Sequence, residues 1–274
     1  MALVTMAELL QDARRRQYAV GGFNVFNFET LGAVVEVAEE LKTPLVLGIP
    51  ERLFKFVDAD LLGAAMVRAA HKASVPVALH LDHSHTYEGI LKAVRWGFTS
   101  VMFDGSRLSF EENVRRTKEV AKIAHASGLT VEGELGSLGG ETANGLEEAA
   151  QFAQKTRIDA LAVGCGNHLG AIADAALDFE RLGLLRQMVQ IPLVMHGGAG
   201  LQAEEYRRLI QSGIAKINIA TDTSTVAAEQ LKKELSRTPH MNYVNLMAIV
   251  KKGVKESVRK YMLAFECISK AKAI

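Results

Sequence analysis

Short apolar runs alternate with longer stretches of helical period along the chain. The clearest run follows Pro76. Residues 77–81 (Val-Ala-Leu-His-Leu) have the pattern of a buried strand, which stops abruptly at Asp82-His83-Ser84-His85. Similar runs predict strands over 19–23, 44–49, 100–103, 130–135, 160–163, 192–195 and 216–219. Between them lie helix-period segments over 28–41, 58–73, 87–96, 110–126, 146–155, 179–188 and 203–211. In the first of these, Leu31, Val34, Val35, Ala38 and Leu41 share one side. A helix over 4–16 precedes the first strand, with Thr5 and Glu8 spaced as a capping box. Beyond the last strand the chain reads as helical, with a break at Pro239 and a final helical segment over 244–271.

Eight strands, each followed by a helix, imply a parallel sheet. In this length they fit a single-domain (β/α)8 TIM barrel spanning 1–274, with an extra C-terminal helix. That helix could seal the bottom, reach a neighbouring subunit or contribute to a mouth. A doubly wound open sheet ranks below, because it usually carries a glycine-rich turn after its first strand, and Gly21-Gly22 lies within or before that strand's end. In a barrel the carboxyl ends of the strands share one mouth. The polar groups at those ends are Asn24, Asp82-His83, Asp104, Glu134, His168, His196, Asn218 and Asp222.

Composition narrows the partners. Hydrophobic residues make up 49%, enough for a large core, and 32 basic against 31 acidic residues give a net charge of +1. That balance provides no field for a polyanion, so nucleic acid is not expected. Cys165 and Cys267 belong to no disulfide framework, which fits a reducing cytoplasm. The opening residues lack the basic flank and apolar core of a signal peptide. No apolar run approaches the roughly 20 residues of a membrane span, so no membrane partner is expected.

The chemistry gathers on histidines. Of eight, His71, His125 and His240 fall on helices or in a late loop, and His80 points from a strand interior. His83, His168 and His196 sit at or just past strand ends, and His85 competes with His83. Each alone reads best as a core or capping residue. Three imidazoles from separate strands can hold a divalent cation, Zn2+ by default with cobalt or iron as alternatives, and leave a position open. Asp82 suits proton transfer beside such a cation, or else caps a helix or orients a ligand histidine. Gly197-Gly198-Ala199-Gly200 and the run Asn218-Ile219-Ala220-Thr221-Asp222 open two helices after the last two strands, the usual phosphate corner of a barrel.

These residues resemble the class II, metal-dependent ketose-bisphosphate aldolases, nearest the tagatose- and fructose-bisphosphate branches. The likeness covers essentially the whole chain. It is carried by Phe23-Asn24-Val25, Leu79-His80-Leu81-Asp82-His83, Met102-Phe103-Asp104-Gly105-Ser106, Val131-Glu132-Gly133-Glu134-Leu135-Gly136, His196-Gly197-Gly198 and Asn218-Ile219-Ala220-Thr221-Asp222. The resemblance implies that His83, His168 and His196 bind the metal, which stabilises the enediolate of a dihydroxyacetone-phosphate-like ketone. It implies that Asp82 shuttles a proton, and that the glycine run through Ala199, with Asn24 and Asn218 to Asp222, holds substrate. Glu134 and Asp104 would stand beside the metal or serve as alternative ligands, with a monovalent cation near the phosphate. A role in carbohydrate metabolism, in glycolysis, and a homodimer or homotetramer would follow.

The chain also departs from the pattern. Ser84 follows His83, and Ala199 stands where a serine is expected to touch phosphate. Glu51 lies close to the phosphate corner. The Gly164-to-Gly170 stretch is one residue out of phase, which leaves Asn167 as a rival to His168. The loop after Gly140 is short, and Glu141, Glu147 or Glu148 would have to replace its proton-abstracting glutamate. These departures keep open a divergent member that only binds a sugar phosphate or acts on a less phosphorylated substrate, and another metal-dependent reaction on the same site. A Schiff-base aldolase ranks low, since Lys216 begins its predicted strand.

Overall fold

A computed structural model describes residues 2–135, 144–163 and 177–271 of the chain. Its eight strands are β1 (Val20–Asn24), β2 (Leu45–Pro50), β3 (Val77–Ser84), β4 (Ser100–Asp104), β5 (Thr130–Glu134), β6 (Ala160–Val163), β7 (Leu193–Met195) and β8 (Ile214–Ile219). They pair in parallel in chain order, and β8 closes on β1, giving the (β/α)8 barrel with a further C-terminal helix that the alternation predicts. The outer ring is α2 (Phe28–Leu41), α3 (Ala59–Lys72), α4 (Tyr87–Trp96), α5 (Phe110–Ala126), α6 (Asn144–Thr156), α7 (Phe179–Met188), α8 (Ala203–Gln211) and α9 (Thr221–Arg237). Outward strand residues such as Leu79, Leu81, Val101, Val131, Ile217 and Ile219 pack under the helices as the main apolar core.

Two helices lie outside the repeat. α1 (Met6–Arg16) starts at the predicted Thr5–Glu8 capping box. It lies at the amino ends of the strands: Leu3 bridges to Val77, and Ala7 N donates to Thr130 Oγ1 at 3.0 Å. The bottom is therefore sealed here, and not by the last helix. α10 (Tyr243–Ala264) ends before the predicted 271 and lies against α2 and α9. Lys251, Lys255 and Arg259 on α10 pair with Glu36 and Glu40 on α2.

Two strand boundaries differ usefully from expectation. β3 runs on through Ser84, and its register with β4 shifts between Leu81 and Ser84. Within this bulge His83 has φ 43°, a left-handed conformation unusual for a non-glycine residue. β8 begins at Ile214, so Lys216 lies inside the strand and not at its start.

Candidate metal and catalytic centre

Side chains two apart on a strand share a face. In β3 this puts His80 and Asp82 on one face, in β5 Glu132 and Glu134, and in β8 Lys216 and Asn218. β3, β5 and β8 are not neighbours in the closed sheet, so their side chains can meet only across the barrel interior. They do meet there. Barrel interiors are ordinarily filled by branched apolar residues, and this one is filled by a polar column.

At the top of the column Asp82 is buried. Its Oδ2 accepts from Asn24 Nδ2 at 2.7 Å and its Oδ1 from Asn218 Nδ2 at 3.2 Å. The two amides fit because strand glycines face them. A Cβ on Gly48 would lie 2.2 Å from Asn24 Oδ1, and one on Gly22 would lie 2.2 Å from Asn218 Oδ1. Burial works against the Asp82 carboxylate, but His83, His196, His80 and Lys216 outweigh it and hold the carboxyl well below the usual range.

The bulge turns His83 into the same mouth as Asp82. Its ring meets His196 edge to face, with centroids 4.5 Å apart. His83 Nδ1 lies 2.7 Å from Asp104 Oδ2 and 3.6 Å from Glu134 Oε2. Burial opposes its charge, but Asp82, Asp104 and Glu134 prevail and push its pKa up to about 9. Asp104 is held in place by Ser106, whose backbone N and Oγ both donate to Oδ1. His85 turns aside to the Asp104 carbonyl and is exposed.

Among the described residues, two overlapping groups present ligand atoms within 4.8 Å of one another: Asp82, His83 and His196, and His83, Asp104 and Glu134. Among the described residues Glu134 Oε2 is buried with no hydrogen-bond partner, and burial raises that carboxyl's pKa. A buried lone oxygen beside two imidazoles and two further carboxylates fits a divalent cation with borderline affinity for nitrogen and oxygen, such as zinc. His168 and Asn167, with Glu141 and the stretch 164–170, lie outside the described residues. Glu147 and Glu148 are exposed on α6.

The turns expected to form a phosphate corner are built mainly of backbone. Gly198 N donates to the Asn218 carbonyl, tying the turn after β7 to β8. Tyr206 Oη donates to the Gly198 carbonyl at 2.5 Å. The Ile219 side chain is in the outer core, so only its backbone can face a ligand. Ala220 caps α9 without any side-chain bond, and Thr221 is exposed in the first turn. The Asp222 carboxylate is engaged by α10: Ser257 Oγ donates to its Oδ2 at 2.9 Å, and Tyr261 on the same helix bonds to it as well. Glu51, just past β2, accepts from Ser84 Oγ, His85 N and Thr86 Oγ1, so it pins the β3–α4 turn.

The chain matches the family model described as fructose-bisphosphate aldolase class-II over residues 4–270. It is 37% identical to the fructose-bisphosphate aldolase of Thermus caldophilus, covering 98% of this chain and 100% of that protein. It is 36% identical to the "Probable fructose-bisphosphate aldolase" of Bacillus subtilis strain 168, covering 97% and 98%. Among solved structures, the YdjI aldolase of Escherichia coli K12 superposes with a TM-score of 0.89 at 34% identity, over 98% of this chain and 100% of that one.

The chain belongs to the class II fructose-bisphosphate aldolase family. It is a metal-dependent aldolase, a carbon–carbon lyase of the aldehyde-lyase class. A match across almost its whole length does not favour a barrel that merely binds a sugar phosphate.

Three residues of this aldolase's column escape attention when only strand ends are searched. Lys216, Glu132 and His80 are all fully buried below the mouth. Lys216 Nζ lies 2.5 Å from Glu132 Oε2, 3.4 Å from His80 Nε2 and 3.6 Å from Met6 Sδ. Its three donors thus have three acceptors, which leaves no free amine for a Schiff base. The available signal was period two: each of the three stands two residues before a mouth residue on its own strand.

Proposed function

We propose that this aldolase cleaves and forms the carbon–carbon bond of a ketose phosphate, with dihydroxyacetone phosphate as the ketone fragment. His83, His168 and His196 would hold a divalent metal, Zn2+ in the first instance, with Asp104 and Glu134 beside it. The observation that carries the reading is the aiming of Asp82 by two amides, Asn24 and Asn218, into the space bounded by His83 and His196.

A divalent cation at that place supplies Lewis-acid polarisation of the ketone oxygens. The remaining steps fall to the chain itself. In the cleavage direction Asp82 accepts the proton of the hydroxyl on the carbon that becomes the aldehyde. The electron pair of the breaking bond passes into the ketone fragment as its enediolate. In condensation Asp82 returns the proton. The open first-turn amides of α9 and the turn at Gly197, Gly198 and Ala199 bind the phosphate as backbone donors. Asn218 bridges the two sites, bonding Asp82 through its side chain and Gly198 through its carbonyl.

A single domain over 1–274, a monovalent cation by the phosphate, a homodimer or homotetramer, and a glycolytic place in the cytoplasm complete the proposal. These rest on the sequence and the family likeness. Among the described residues, no helix is long and apolar enough to cross a membrane.

The test is an aldehyde-release assay on a panel of ketose 1-phosphates and bisphosphates. Cleavage should stop on chelation and return with Zn2+, and borohydride with substrate should leave the enzyme active. Inactivation by borohydride, or turnover that survives complete chelation, would overturn it.

A further inference from the structure

The polar column ends in a contact that a ligand histidine does not need merely to be packed. His196 Nε2 lies 2.6 Å from Glu132 Oε1. Its other nitrogen, Nδ1, faces Asn218 Nδ2 at 3.2 Å and Asp82 Oδ1 at 3.8 Å. The Asn218 amide is oriented by Asp82, since a carboxylate oxygen can face only the NH2 end. An ionised carboxylate accepts and cannot donate, so Nε2 must carry the ring proton. Nδ1, which receives the Asn218 N–H, must then be the unprotonated nitrogen that carries the lone pair. Glu132 is kept in its accepting form by Lys216, whose ammonium is fixed by its own three acceptors.

We propose that Glu132 and Lys216 are a positioning pair for His196. Lys216 holds Glu132 as an oriented carboxylate, and Glu132 locks the His196 ring with Nδ1 unprotonated, the nitrogen that would bind the metal. This rests on the reading of His196 as a metal ligand. The pair has no path to the substrate, being sealed below the mouth. Carboxylates that accept the far N–H of a ligand histidine generally strengthen metal binding ten- to a hundredfold.

The test uses the full chain labelled with 15N-histidine. In the metal-free natural protein, long-range 1H–15N spectra should show His196 as the Nε2–H tautomer, its signals identified by their loss in His196→Gln. Two double variants then separate the acceptor from the charge. E132Q/K216M keeps an oxygen opposite Nε2 and leaves no lone charge. It should retain the tautomer and bind Zn2+ within a few-fold of the natural protein, measured by competition with a chromophoric chelator. E132L/K216M removes the acceptor. Its His196 tautomers should mix, and its Zn2+ affinity should fall about ten- to a hundredfold.

The Nδ1–H tautomer in the natural protein overturns the proposal, and so does E132L/K216M binding Zn2+ as tightly as the natural protein. If the variants do not fold, the natural protein's spectrum still decides. Normal Zn2+ uptake with the wrong tautomer sinks the positioning role alone. The expected tautomer with no Zn2+ uptake sinks the assignment of His196 as a ligand, and the positioning role with it.

Discussion

His80 and His83 are three residues apart on one strand, and the barrel treats them in opposite ways. His80 lies in the floor of the polar column. Burial and then Lys216 depress its pKa to about 3, so it is a neutral imidazole donating to Ser100 and accepting from Lys216. His83 lies in the mouth, and three carboxylates raise its pKa to about 9 against the cost of burial. Among the described residues the floor is closed: Lys216, Glu132, His80 and Ser100 satisfy one another and Met6, and the second Glu132 oxygen is taken up by His196 above. Among the described residues, the mouth leaves Glu134 Oε2 and Asn218 Oδ1 buried without partners. A satisfied polar network is rigid, whereas an incomplete one is unstable until something completes it. The lower layer therefore reads as a foundation and the upper layer as a receptor.

Four substitutions or conditions sharpen or break that contrast. The largest effect belongs to the mouth. Asp82→Ala should reduce kcat by about 10²- to 10⁴-fold, the usual share of a general acid–base group, while the protein still takes up metal. Unchanged turnover would remove Asp82 from proton transfer.

In the floor, Lys216→Met strands the Glu132 carboxylate in a fully buried site. It should destabilise the fold by about 3–5 kcal/mol in urea titrations. A loss under about 1 kcal/mol would show that Glu132 finds other compensation, and that the floor is not a closed network.

The two histidines give opposite pH limbs in the metal-free protein. His80 has a folded pKa below its ordinary 6.5, so the unfolded chain binds the extra proton between about 3 and 6.5. Its stabilising contribution is full above 6.5 and is lost as pH falls towards about 3. His83 has a folded pKa above 6.5, so its contribution is full below 6.5 and is lost as pH rises through about 9. Urea midpoints measured across this range should fall at both ends. His80→Gln should flatten the acid limb and His83→Gln the alkaline one. If either variant flattened the wrong limb, the contrast would fail.

The smallest effect is expected from Ser100→Ala, which removes one hydrogen-bond partner of His80. It should cost about 1–3 kcal/mol of stability with little change in kcat of the metal-loaded enzyme. A large fall in kcat with stability intact would mean that the floor takes part in the chemistry more directly than a foundation does.

Much of this molecule can be read from its residues in order. Alternating apolar and helical-period segments determine eight strands and their helices, because burial demands one periodicity of a strand and another of a helix. Five of the ring helices have the predicted limits, Phe28–Leu41, Tyr87–Trp96, Phe110–Ala126, Phe179–Met188 and Ala203–Gln211. The residues at the strand ends were also visible, since polar groups that terminate apolar runs stand out locally.

Three things were decided only by the tertiary structure. Barrel closure sets β3, β5 and β8 across one lumen, and so turns a strand lysine, a strand glutamate and a strand histidine into one polar cluster. The bulge at His83 brings two consecutive side chains to one mouth, against the alternation that a straight strand would impose. The packing of α10 against α9 engages the Asp222 carboxylate with Ser257. Each depends on contacts between residues distant in sequence, and periodicity along a chain reports which face is buried but not what that face will meet.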